Sequence, residues 1–224
     1  MAAPIPAKKS LVDEKLNEVE FTQLAAALAE LGKNLYRRGW ALGTSGNFSA
    51  VLTRDPLRLA ITATGLDKGL LSPKQVVQID AGKNVVEGSL RPSDEAVLHL
   101  AVVRLCGAGA VLHTHSVWGT LLSDAYADQG GFWMEGYEML KGLASVRTHE
   151  HREWLPILEN SQDMASLERE IERTLQVYPN AHGFLLRRHG LYTWGQDLAQ
   201  AKRHVEILEF LLEVLGRAYG RAWT

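Results

Sequence analysis

The stretch Gly109-Ala-Val-Leu-His-Thr-His-Ser116 constrains this chain more than any other. Its short apolar run reads as a strand, and in a strand side chains two positions apart leave the same face, about 7 Å apart along the chain at roughly 3.3 Å per residue. His113 and His115 therefore project together, and two imidazoles so placed can grip one metal ion. A third imidazole, His189, stands far downstream in Gly183-Phe-Leu-Leu-Arg-Arg-His-Gly-Leu-Tyr-Thr-Trp-Gly195, between a strand-like run and a glycine that permits a tight turn. Three neutral nitrogens leave one place of a tetrahedral zinc open, which distinguishes a catalytic site from a closed structural one. A lone strand histidine is more often a core or surface residue; the pair spacing and the third ring in a glycine-bounded strand bring the metal reading level with that plainer one.

Composition narrows the remaining classes. With 224 residues, 46% of them apolar, and no Ser/Gly/Pro-rich linker, the chain is expected to form a single domain over 1–224, with 1–10 a flexible leader. A net charge of −2 supplies no general attraction to nucleic acid or to an anionic membrane, so an anionic ligand must be held locally. One cysteine, Cys106, excludes an internal disulfide, and no apolar run is long enough to span a bilayer, so a cytoplasmic setting is expected. Cys106 reads as a packing residue.

Three turns have the composition of an anion cradle. Gly43-Thr-Ser-Gly-Asn-Phe-Ser49 brings small residues, which let backbone N–H groups approach an anion, and side-chain donors from Thr44, Ser45 and Asn47 around Gly46. It lacks the lysine of a Walker loop, and by itself is an ordinary turn. Ala63-Thr-Gly-Leu-Asp-Lys-Gly69 supplies Thr64, Gly65 and Lys68, and Arg91-Pro-Ser-Asp94 supplies Ser93. Together the three can enclose one phosphate.

Around these pieces the pattern alternates helix and strand. Apolar spacing predicts a helix from about Val12 to Arg38 along Leu16, Val19, Leu24, Ala27, Leu28, Leu31 and Leu35, broken near Glu20–Thr22 and ended by Gly39. Ser93 is expected to cap a helix whose buried stripe is Leu98, Ala101, Val102 and Leu105, with His99 structural. Ser116, Asp163 and Asp197 are expected to cap three more. In Phe132–Gly142, Glu135 and Glu138 lie near aromatics that can raise a carboxyl pKa toward the range of proton transfer, against the plainer reading of a helix surface. His149, His151, His182 and His204 are expected to face solvent. The sum is an α/β fold: a three-layer α/β/α domain with a central, largely antiparallel sheet.

The combination Thr44-Ser-Gly-Asn-Phe-Ser49, Arg91-Pro-Ser-Asp-Glu95, Gly107-Ala-Gly-Ala-Val-Leu-His-Thr-His-Ser116 and Arg187-Arg-His-Gly190 resembles the class II aldolase/adducin family from about Leu24 to Leu215. Within it, Gly136–Gly142, Pro156–Ser161 and His189–Gly195 are similar to a dehydratase branch. The resemblance implies one zinc ion per subunit on His113, His115 and His189, a sugar phosphate held by Thr44, Ser45, Gly46, Asn47, Thr64, Gly65 and Ser93, and Glu138 as acid/base. Glu95 is either a metal-touching base, as in the family's sugar-phosphate aldolases, or a position the dehydratases do not need. Dehydration of a ketose phosphate is the first expectation, aldol cleavage or epimerisation the alternative, and a non-catalytic structural role the third. A homo-oligomer, a tetramer by the same resemblance, is expected.

Overall fold

A computed structural model describes the backbone of residues 11–221 and the side chains of residues 18–218. The expected leader over residues 1–10 lies outside the described residues. Nine strands form one sheet among them: β1 (Asn47–Arg54), β2 (Leu57–Thr62), β3 (Val76–Asp80), β4 (Val85–Glu87), β5 (Ala110–Thr114), β6 (Gly131–Glu135), β7 (Arg152–Leu158), β8 (Gly183–Leu186) and β9 (Gly190–Gly195). Their spatial order is β4-β3-β2-β1-β5-β9-β8-β7-β6, and only β7 and β8 run parallel.

Helices α1 (Leu11–Arg37), α3 (Val117–Ala125) and α5 (Leu198–Arg221) cover one face, and α2 (Ala96–Cys106) and α4 (Met164–Val177) the other. Strand alternation feeds both cores. Ala110 and Leu112 of β5 pack with Leu28 and Leu35 of α1 and Val205, Leu208 and Leu212 of α5, while Val111 packs with Leu98 and Val102 of α2 and Ile171 of α4. Each such fully buried aliphatic side chain contributes about 1.5–3 kcal/mol, so the central strands are held from both sides. The three-layer, largely antiparallel architecture is the one expected from the sequence.

Several local expectations need correction. Helix α1 passes through Glu20–Thr22 without a break, because Phe21 is buried and locks that turn onto the core. Val19 and Ala27 are exposed; Phe21, Ala25 and Ala29 take the buried stripe instead. Helix α2 begins at Ala96, and Ser93 accepts from the Glu95 N–H in the turn ahead of it. Leu105 and Cys106 are exposed at its far end, so Cys106 is not a packing residue. Gly107 there adopts the left-handed conformation that ends the helix. The Ser116, Asp163 and Asp197 caps form, each side chain accepting a backbone N–H three residues on.

His204 is buried and His182 partly buried, rather than solvent-facing. His204 lies between the Trp194 carbonyl, 2.7 Å from Nδ1, and the Ala144 N–H, 3.0 Å from Nε2. His182 and His151 flank the buried carboxylate of Glu153 at 3.0 and 2.8 Å, which holds that carboxyl below its ordinary pKa against the cost of burial. These contacts tie the 144–151 loop to β7 and α5, so the pattern of polar residues there reflects buried pairing, which local spacing does not reveal.

Candidate metal centre

Strand order brings the site together. β5 lies between β1 and β9, with Asn47 opposite His113 and Tyr192 opposite His113 on the other side. The anion-type turn ahead of β1 and the hairpin turn ahead of β9 therefore meet at the end of β5. Gly46 makes the first junction possible: its φ is +75°, and a Cβ there would stand 2.8 Å from the His113 carbonyl oxygen. His115, one residue beyond β5, is fixed by its N–H donating to the Trp40 carbonyl at 2.8 Å. His189 sits in the tight turn between β8 and β9, its N–H donating to Leu186 O at 3.1 Å, while Asp124 of α3 holds Arg187 and Arg188 beside it.

The three rings converge as the sequence suggests. His113 Nε2 is 2.8 Å from His115 Nε2 and 3.3 Å from His189 Nε2, and one nitrogen from each ring lies within 4.8 Å of the other two. Among the described residues this is the one cluster of metal-ligand type. A tetrahedral zinc with bonds of about 2.0–2.1 Å spaces its ligands at about 3.3 Å, which the His113–His189 pair already matches.

Hydrogen bonding fixes the His113 tautomer. His113 Nδ1 lies 3.0 Å from the Leu191 carbonyl, which only accepts, so Nδ1 donates, and His189 Nδ1 lies 3.3 Å from Asn160 Oδ1. The His113 Nε2 that faces the other two rings is then a bare lone pair. Burial, and after it the neighbouring rings, holds His113 well below the ordinary imidazole pKa; burial brings His115 down to about 4 and lowers His189. All three rings are therefore neutral at neutral pH, and a divalent cation fits a donor set of three neutral imidazoles.

Glu95 stands next to the rings, Oε1 3.4 Å from His189 Nε2 and Oε2 3.7 Å from His113 Nε2. It accepts from Asn47 Nδ2 at 2.7 Å. Tyr192 stacks on His113 at 4.0 Å, and its phenol pKa is pushed far up by burial and then by the Glu95 charge, although its hydroxyl reaches no partner in hydrogen-bonding geometry.

A cleft of about 220 Å³ opens over this cluster, lined by Thr44, Ser45, Gly46, Asn47, Ala63, Thr64, Gly65, Ser93, Glu95, His115 and His189. All seven residues expected to hold a phosphate are in it. Two further groups support the cleft: Lys68, expected in the second cradle turn, and Asn160, which sequence reasoning left out. Lys68 is buried, its Nζ donating to Thr44 O at 3.1 Å and Leu66 O at 2.9 Å, and burial lowers its pKa to about 8. It brings positive charge beneath the Thr44 turn, and its position in the second glycine turn was the available signal. Asn160, which orients His189, carried no signal of its own in the sequence.

Glu138 lies elsewhere. It opens a single helical turn, Glu138–Gly142, is strongly exposed, and is bound by Lys141, whose hydrogen bond lowers the carboxyl pKa instead of raising it. Glu135 is likewise exposed and paired with Arg152 at 2.5 Å. The aromatics nearby do not enclose either acid. A larger cavity of about 550 Å³, bordered by His151, His182, His204 and Trp194, carries no converging ligand atoms and is distinct from this cleft.

The buried histidines predict a response to acid. His99 is fully buried and its pKa falls from 6.5 to about 3, so between those values the unfolded chain binds the proton and the folded chain does not. Stability is present above pH 6.5 and drains as pH falls, by about 2 kcal/mol at pH 5 for this residue. His204, lowered to about 4 chiefly by burial, acts in the same direction. Glu209, raised to about 7 by burial, acts in the opposite direction, so the test is comparative. From pH 7 to pH 5 the urea midpoint of wild type should fall relative to that of His99→Gln; an identical pH dependence in the two would contradict the buried, neutral placement of His99.

A three-layer sheet domain with a His-x-His strand, a distant histidine in the adjoining hairpin and a phosphate-sized cleft defines a class. Residues 26–215 match the class II aldolase and adducin N-terminal domain, and the chain belongs to that family. Its relatives narrow the likeness: methylthioribulose-1-phosphate dehydratase of Methylococcus capsulatus is 41% identical over 206 residues, 92% of this chain and 98% of that protein. The protein of the same name from Pseudomonas aeruginosa is 41% identical over 192 residues, 85% of this chain and 92% of its own. Among solved structures, an L-fuculose 1-phosphate aldolase superposes with a TM-score of 0.73 at 22% identity, covering 88% of this chain and 87% of that one. The L-fuculose-1-phosphate aldolase of Thermus thermophilus gives 0.69 at 24%, covering 91% and 97%. At that identity the structural likeness speaks for the fold. No helix among the described residues is long and apolar enough to cross a membrane.

Proposed function

We propose that this chain is a hydro-lyase that dehydrates 5-methylthioribulose 1-phosphate to 2,3-diketo-5-methylthiopentyl 1-phosphate in methionine salvage, with zinc on His113, His115 and His189. The observation that carries this reading is the three-imidazole cluster at the edge of a cleft lined by hydroxyls and glycine turns; the relatives' shared name supports the substrate. A cation there would polarise the substrate carbonyl and acidify the neighbouring C–H.

The chain's own groups do the rest. The Thr44–Asn47 and Thr64–Gly65 turns and Ser93 hold the phosphate through hydroxyl, amide and backbone donors. Glu95, whose carboxylate lies 3.4 Å from His189 Nε2, takes the proton from the carbon next to the carbonyl in this reading. Loss of the next hydroxyl as water needs a proton, which we assign to Glu138. Because Glu138 does not line the cleft of its own chain, this role requires assembly of copies, and the homotetramer implied by the resemblance is part of the proposal. So is a cytoplasmic setting.

Glu95 also suits a second reading, aldol cleavage or epimerisation, since a carboxylate beside the cluster serves either reaction. Incubation with methylthioribulose 1-phosphate should give a diketone, and with fuculose 1-phosphate no aldehyde; the reverse outcome replaces the dehydratase by an aldolase. In the same assay Glu138→Gln should keep metal and lose roughly a hundred-fold or more in kcat. Unchanged turnover removes Glu138 from the mechanism.

A further inference from the structure

His99 lies behind the cleft, on α2, one turn after Glu95, and is fully buried. Its Nδ1 is 2.7 Å from Ser49 Oγ, and its Nε2 is hydrogen-bonded to Asn47 Oδ1. Asn47 in turn donates from Nδ2 to Glu95 Oε2 at 2.7 Å. The direction of every bond in this chain follows from its last member. Asn47 Nδ2 donates to the Glu95 oxygen, so Asn47 Oδ1 faces His99; that oxygen only accepts, so His99 Nε2 carries the proton; Nδ1 is then a lone pair and accepts from the Ser49 hydroxyl.

We infer that His99 is a positioning residue that fixes the polarity of the Asn47 amide, so that Asn47 offers the cleft a donor and never an acceptor. The amide has two N–H groups: one is committed to Glu95, and its oxygen is committed to His99, which leaves the second N–H for the ligand. A flipped amide would set its oxygen against the Glu95 carboxylate and its NH2 against the His99 N–H, so two repulsive contacts oppose the flip. Asn47 therefore selects an oxygen-rich, acceptor-only group such as a phosphate, and the same bond aims Glu95 at the metal cluster. This inference rests on the phosphate reading of the cleft for its ligand, but not for the direction of the relay.

Two measurements separate those parts. In the full-length wild-type protein, 15N spectra of the imidazoles should show His99 as the Nε2–H tautomer, unchanged across the neutral range. An Nδ1–H tautomer or a protonated ring would overturn the relay whatever the cleft binds. Inorganic phosphate titrated into full-length protein then tests the consequence. His99→Leu should weaken phosphate binding about ten-fold or more, the effect of leaving the amide without its partner. His99→Gln, whose side-chain NH2 can donate to Asn47 Oδ1, should restore binding to near wild type while His99→Leu does not. Wild-type affinity in both variants would overturn the selection argument; if wild type binds no phosphate while the tautomer is Nε2–H, the phosphate reading fails and the relay stands.

Discussion

His189→Ala is expected to abolish metal retention and turnover together while leaving the fold intact. The side chain sits at a hairpin tip, partly open to the cleft, and its ring makes its contacts with His113, His115, Glu95 and Asn160 rather than with the apolar core. Truncation therefore costs little packing but leaves two nitrogen ligands, one of them already drawn within 2.8 Å of the other. Loss of an outer-sphere partner of a ligating histidine costs about 10–100-fold in metal affinity, and loss of the ligand itself should exceed that range. Asn160→Ala supplies the comparison, since it removes only the acceptor that orients His189. Metal content after dialysis against a chelator, read beside far-UV spectra, checks both variants. A His189→Ala protein with full metal and normal turnover would remove this residue from the centre.

Gly190→Ala should be as damaging for a different reason. A Cβ at this position would stand 2.0 Å from the Thr114 carbonyl oxygen, 3.0 Å from its carbon and 3.2 Å from His113 Cε1. These are backbone atoms of the adjacent strand and the ring of a candidate ligand, so no flexible side chain can yield. Relief requires β9 to move off β5, which separates His189 from His113 and His115 and breaks the Thr114–Leu191 register. Overpacking a core usually costs about 1–3 kcal/mol, and a clash with backbone should fall at or above about 3 kcal/mol. Gly39→Ala is the contrast: it has a φ of +78° but nothing within 4 Å, so only left-handed strain remains, about 1–2 kcal/mol. Urea unfolding and metal content of the two variants should differ accordingly. Equal stability of Gly190→Ala and wild type would mean that β5 and β9 are not packed this closely.

Much of the site is legible in the sequence because each piece is local. The alternation of β5 sets His113 and His115 apart by two residues; glycines at 43, 46 and 65 announce turns with positive φ, which they adopt; and Ser116, Asp163 and Asp197 announce helix starts. The likeness to a known family then joins those pieces in one expected site. Where local chemistry is a poor guide, burial is the cause. His204 looks like an ordinary polar position on its helix, and Cys106 looks like part of an apolar stripe; only the neighbouring layers decide which is enclosed. Glu138 shows the same from the other side. Aromatics close in sequence do not enclose it, and Lys141 lowers its pKa where a raised one was expected.

Sequence by itself determined the elements, the turn chemistry and the set of imidazoles, since these depend on periodicity and on residues a few positions apart. Tertiary structure alone decided that β5 lies between β1 and β9, and hence that Asn47, Glu95 and His189 share one cleft, against the buried His113, with a fixed direction of hydrogen bonding. The reason is physical: backbone pairing between strands is the same whatever their order, so the order is selected by the packing of two helical layers on the sheet, summed over residues distant along the chain.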